Sequence, residues 1–181
     1  FAEVLLGNAG SFFANGNGNY ASGAGTALSS SSMNTAIQKL AEQTGLNGEV
    51  LNLMPRYILT PAGLFNTARE LVNSASIVVA GSTDSVRGSQ NVLASYGILP
   101  FRLPHLGLST FTGYSTTAWY LFADPAQCPA VDLAYLAQTG RGPVIESAQT
   151  DFNTLGMQWR CYMDFGIALN DKRGAVKMAG A

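Results

Sequence analysis

"LNLMPRYILTPAGLFNTARELV", residues 51–72, changes its period halfway along. Tyr57-Ile58-Leu59 is a short β-branched and aromatic run, the composition of a buried strand. Past it, Leu64, Phe65, Ala68, Leu71 and Val72 recur at the three- and four-residue spacing that lines one face of an α-helix. The switch falls at Thr60-Pro61. A threonine hydroxyl can accept from the free N–H groups of a first helical turn. Proline at the first helical position gives up only an N–H that has no intrahelical partner. The spacing predicts strand, cap and helix in succession, with Thr60 as the cap and Leu64, Phe65 and Leu71 in the core.

Another helix is predicted over residues 33–44. Met33, Ile37, Leu40 and Ala41 form its apolar stripe, and Gln38, Lys39, Glu42 and Gln43 occupy its other faces. Ser32 is placed to cap it and Gly45 to stop it. Residues 1–32 begin with an apolar piece, Phe1 to Leu6, then turn rich in Gly, Asn and Ser, which reads as ordered loop or short irregular strands. Residues 77–80 read as a strand, and 81–95 hold no pattern stronger than one helical turn.

From about residue 96 the chain reads as β. "ILPFRL", "TTAWYLF", "DLAYL" and "PVIES" are short segments set apart by Pro, Gly and Asp. Prolines at 100, 104, 125, 129 and 143 place them at edges and bends. Near the end, Trp159, Cys161, Met163 and Phe165 alternate with Arg160, Tyr162 and Asp164, giving one apolar and one polar face of a single strand. Residues 170–174 read as a turn and 175–178 as a closing strand. The class is α+β, without internal repeats.

Charged residues make up 12% of the 181, about half the ~25% of ordinary soluble domains. Interfaces are depleted in Lys, Glu and Asp. The composition therefore fits a surface covered by neighbours, and equally a merely polar, uncharged one. With net charge −1 and no run of like charge, composition gives no footprint for nucleic acid. The longest apolar runs fall far short of the ~20 residues that cross a bilayer. Cys128 and Cys161 lack CxxC spacing and read as two reduced, buried thiols, as expected of an intracellular protein. The chain begins with Phe1 rather than Met, which reads as processing or truncation of whatever came before it.

Catalytic groups are scarce. His105 is the only histidine, set in "LPHLG" among apolar residues. "GLSTF" (107–111) and "GYSTT" (113–117) lack the final glycine of a nucleophile elbow. An α+β hydrolase using Ser109 or Ser115 with His105 is the alternative these residues leave open. "GNGNYA" (16–21) satisfies a dinucleotide fingerprint only formally, since more Gly, Ala and Ser follow instead of a helix. Asp164-Phe165-Gly166 spells a kinase triplet without its companion motifs. Acidic residues are dispersed, so no cofactor and no metal are expected.

The opening stretch resembles the strand-then-helix segment of tailed-phage major capsid proteins, in the group related to Mu-like prophage head subunits and prohead protease–capsid fusions. "AWYLFADP" (118–125), "GPVIES" (142–147) and "GMQWRCYMDFGIALNDKRGAVKMAG" (156–180) are similar to further elements of that group. So is the helix within "TALSSSSMNTAIQKLAEQTGL" (26–46), and the matches keep family order. The resemblance implies the HK97 fold. Residues 1–55 would be the first part of the peripheral domain with its spine helix, 56–148 the axial domain, and 149–181 the return to the peripheral sheet. The N-terminal arm and extended loop would lie before Phe1. It implies no enzymatic role, and a subunit assembling with copies of itself into hexamers and pentamers of an icosahedral shell in the virion, built in the bacterial cytoplasm. Scaffold, prohead protease and portal would be partners, DNA would be enclosed non-specifically, and no membrane would be involved. A non-viral compartment shell of the same fold is a further reading.

The charges of the tail, Asp164, Asp171, Lys172 and Arg173, admit two readings. They form an ordinary solvated turn, or they meet opposite charges on a neighbouring subunit, with the Arg173 fork the best placed to hold a carboxylate.

Overall fold

Five buried residues in a row, Trp119 to Ala123, form β6 and set the middle of the main sheet. The structure, a computed structural model, describes residues 1–7, 9–77, 89–136, 141–149 and 156–180. In chain order its regular elements begin with α1 (Ala2–Gly7), α2 (Ala9–Phe12), β1 (Tyr20–Ala21), α3 (Ser30–Ala41), β2 (Pro55–Thr60) and α4 (Phe65–Asn73). There follow β3 (Ser76–Ile77), β4 (Ser89–Gln90), β5 (Leu99–Arg102), β6 (Trp119–Ala123) and β7 (Val131–Tyr135). The last are β8 (Val144–Gln149), β9 (Met157–Tyr162), β10 (Phe165–Leu169) and β11 (Ala175–Met178). Helix and sheet are mixed, which agrees with the α+β expectation.

Two units emerge, one of residues 1–130 with 169–181 and one of residues 131–168. In the first, the sheet runs β1-β11-β6-β2-β5. β2 and β11 flank β6 antiparallel, and β5 joins β2 in parallel as an edge strand containing Pro100. Side chains alternate across the sheet. One face carries Ile58, Trp119, Leu121, Val176 and Met178, which pack with Met33, Ala36, Ile37 and Leu40 of α3 and Ala68 and Val72 of α4. Each large apolar side chain so buried contributes about 1.5–3 kcal/mol. The Trp119 indole N–H, inside this core, donates to the Thr26 carbonyl at 3.0 Å. On the opposite face Phe13 packs on Tyr120 with ring centroids 5.4 Å apart. Burial of the Tyr120 phenol pushes its pKa up to about 12.

Several boundaries differ from expectation. Thr60 does not cap α4. It is the last residue of β2, its carbonyl accepts from Leu103 N–H, and its buried hydroxyl has no hydrogen-bond partner among the described residues. Pro61 is extended (ψ 166°), Ala62–Leu64 form a 3-10 turn, and α4 begins at Phe65. The sheet ladder holds Thr60 and so outcompetes the local capping preference. In α3 the cap is Ser29, not Ser32. Ser32 N–H donates to Ser29 Oγ at 3.2 Å and Ser29 N–H donates to Ser32 Oγ at 2.9 Å, a reciprocal pair that starts the helix three residues earlier. Gly45 is not the stop either; it lies in the turn below the Thr44–Val50 bridge. The first residues, expected as loop or strand, fold as α1 with Leu5 and Leu6 buried.

The second unit is built differently. β7 and β10 form one two-stranded sheet, and β8 and β9 form another with six antiparallel residue pairs. The single strand expected through residues 159–165 is broken at Met163-Asp164, with Asp164 C=O accepting from Leu136 N–H at 3.4 Å. None of the described residues of 131–168 is buried. Of the strand expected at 77–80, Ile77 pairs with Ser89, and residues 78–80 lie outside those described, as do 81–88 of the weakly patterned segment.

Candidate functional site

The β8–β9 ribbon has two unlike faces. In an antiparallel ladder, residues directly opposite project to the same side. The pairs Ile145–Cys161 and Ser147–Trp159 lie on one side with Met157, and the pairs Val144–Tyr162 and Glu146–Arg160 lie on the other. The polar side is satisfied within itself. Glu146 accepts from Arg160 Nε and from Tyr162 Oη at 3.0 Å, and the Arg160 guanidinium also lies 5.6 Å from the Tyr162 ring. The hydrogen bond from Arg160, then that from Tyr162, holds the Glu146 carboxyl below its ordinary range. The apolar side has no such closure. Ile145 is 64% exposed, Met157 61% and Trp159 67%. From the usual size of such side chains, the three present on the order of 400 Å² of apolar surface, within the ~300–600 Å² of a monomer's largest patch, often functional. An arrangement of this kind can bind another surface; beside its apolar side chains it carries the free thiol of Cys161.

The four tail charges do not sit together in one element. Asp164 is exposed in the second unit, between β9 and β10. Asp171, Lys172 and Arg173 belong to the first unit, in and beside a 3-10 turn of Lys172–Gly174. Asp171 caps that turn by accepting from Arg173 N–H at 2.9 Å, and its carboxylate takes Nε at 2.9 Å and Nη2 at 2.6 Å of the same arginine. The Arg173 fork is thus engaged inside its own turn. Its hydrogen bonds are the main reason the Asp171 carboxyl is held below its usual range, against an opposing effect of burial. Lys172 Nζ donates to Asn17 Oδ1 at 2.8 Å, while its carbonyl accepts from the buried Asn19 amide at 2.9 Å. These contacts tie the last turn to the N-terminal segment.

His105 is exposed on the 3-10 turn Pro104–Gly107 and its ring packs edge-on to Phe111, 5.8 Å between centroids. The Ser115 hydroxyl accepts from the backbone N–H groups of Thr117 and Ala118, and Ser109 is exposed. These contacts assemble no nucleophile and base. Both cysteines are free, but only Cys128 is buried, whereas Cys161 is exposed on the ribbon's apolar side, correcting the expectation of two buried thiols. Burial, and then Asp171, push the Cys128 thiol up. No helix among the described residues is long and apolar enough to cross a membrane.

The sequence places Trp159 and Cys161 on one apolar face, and Ile145 and Met157 are the members of the patch it did not single out. Alternation through 157–165 was a legible signal, but alternation says which residues share a face and not what covers it.

A family model described as "Phage capsid protein" matches residues 1–178, nearly the whole chain. No curated protein matches the chain.

Proposed function

The chain belongs to the phage capsid protein family, and from that premise we propose that it is the major head subunit of a tailed phage or prophage, assembling by contact between copies. The structural role follows from the family. The finer reading adds the HK97-like fold of the Mu-like group, hexamers and pentamers in an icosahedral shell, and assembly in the bacterial cytoplasm. It also adds scaffold, prohead protease and portal as partners and non-specifically enclosed DNA. One observation carries it: residues 131–168 contain no buried residue among those described, so the described part of this unit forms no core of its own. Two-stranded ribbons are marginal in water without packing against something else. A subunit that completes part of its structure on its neighbours would look like this.

The assignment of 1–55 and 149–181 to a peripheral domain and 56–148 to an axial one is part of the proposal. The compact units divide the chain elsewhere, after 130 and before 169, so these domains are proposed as regions of the assembly. Asp164, Asp171, Lys172 and Arg173 are proposed to contribute charge to contacts between copies. Because Arg173 already holds Asp171, Lys172→Glu is a cleaner probe than Arg173→Glu. It should lower assembly yield most at low salt, where charge is least screened. The reading is tested by gradient sedimentation of the protein expressed from its complete reading frame, followed by nuclease treatment. Fast-sedimenting particles that protect DNA of no preferred sequence are expected. Protein that stays at the top of the gradient would sink the proposal.

A further inference from the structure

We propose that the apolar face of the β8–β9 ribbon, formed by Ile145, Met157, Trp159 and Cys161, is covered by a second copy of this chain. The inference rests on the capsid reading above and gives it a surface. Three observations converge on it.

The ribbon's two faces differ in how complete they are. On the polar face, Glu146, Arg160 and Tyr162 satisfy one another. On the other face a tryptophan, an isoleucine and a methionine stand more than three-fifths exposed, the latter two each two residue pairs from Trp159 along the ladder. Leaving them in water forgoes the stabilisation that burial gives apolar side chains, about 25 cal/mol per Å².

The chemistry of the face selects its occupant. Among its described residues it carries no Lys or Arg for phosphate or an anionic lipid headgroup, and no carboxylate for a basic partner. What fits is another uncharged, apolar protein surface. In a chain with 12% charged residues, copies of itself are rich in such surface. In the main unit Leu99 and Phe101 are 43% and 52% exposed on the edge strand β5.

The area is also of the right order. Roughly 400 Å² of apolar surface on one side, matched on the other, stays below the ~1,200 Å² of a stable stand-alone interface. A contact of that size is weak singly and effective when repeated around a closed assembly. Weak single contacts keep association reversible until many are made together.

Cys161 reports directly on this face, because its exposed thiol lies opposite Ile145. The test is pulse alkylation with N-ethylmaleimide of protein from the complete reading frame, dilute and assembled, read at Cys161 by peptide mass spectrometry. Alkylation should be rapid in dilute protein and slow about tenfold or more on assembly, as local protection does for any group that must be uncovered first. Trp159→Ser and Ile145→Ser should lower assembly yield while leaving the circular dichroism spectrum and Tm of the unassembled chain in place. Particles in which Cys161 reacts as fast as in dilute protein would overturn this inference and leave the capsid reading intact. So would full assembly by both serine variants, or protection already complete at high dilution. Absence of association at every concentration would overturn both.

Discussion

Phe65 shows what residue-level reading of a sequence can and cannot do. Its helical spacing with Ala68 and Val72 is real, and those two are buried, but Phe65 is only half-buried. Two guanidiniums lie over its ring, Arg69 at 5.9 Å and Arg102 at 5.7 Å from the centroid. A fully buried Phe→Ala change costs ~3–5 kcal/mol. With half the burial and only exposed cation–π contacts, Phe65→Ala should cost about 1–2 kcal/mol in urea unfolding. Leu121→Ala, at 0% exposure in the core, should cost about 2–5 kcal/mol. Equal losses at the two positions would contradict this ranking. Gly174 is a second kind of residue-scale constraint. A Cβ there would sit 2.5 Å from the Cys128 carbonyl oxygen, against backbone that cannot step aside. Gly174→Ala should therefore lower Tm clearly, and an unchanged Tm would mean that the last turn gives way easily. Nothing in the sequence around Gly174 pointed to Cys128, which is far away along the chain. His105→Ala should change neither Tm nor assembly, since His105 is exposed and its ring packs edge-on to Phe111 at the surface. A Tm shift of several degrees would show that it does more.

At the scale of elements, the types were readable and several ends were not. The period-3.6 stripes found both α3 and α4, and the short apolar runs found β2, β5, β6, β7 and β8. The ends failed where long-range pairing competed with local preference. Thr60 is a good cap by type, but the ladder to β5 claims it, and four serines in a row before Met33 left the choice of cap open to the geometry of the entering chain. Ser29→Ala should cost about 1 kcal/mol by removing one arm of the reciprocal pair; a cost no larger than that of Ser30→Ala would argue against the Ser29 cap. The closing turn makes a prediction in pH. The Asp171 carboxyl titrates lower in the folded chain than its free value near ~3.9. The stability it contributes is complete above that value and is lost as pH falls through the depressed folded one. Asp171→Asn should flatten the acid limb of a Tm-against-pH curve and leave the slope near neutrality unchanged. The same acid limb in both proteins would remove the Asp171–Arg173 pair from the account.

For the whole molecule, α+β and a shell subunit were both within reach of the sequence, the second through ordered motifs and low charge. The lack of a core among the described residues of 131–168 was not. Apolar alternation at Trp159, Cys161 and Phe165 invites the assumption of a buried face, and only coordinates reveal that the chain leaves it bare. A sequence encodes the surfaces of a subunit for an assembled state, and in a single chain those surfaces look unfinished. The central claim, that copies of this chain complete one another in a shell, is tested most directly by negative-stain electron microscopy of the protein from its complete reading frame. The account predicts closed particles or rings of uniform size. Dispersed single subunits at every concentration, with no ordered assembly, would contradict it.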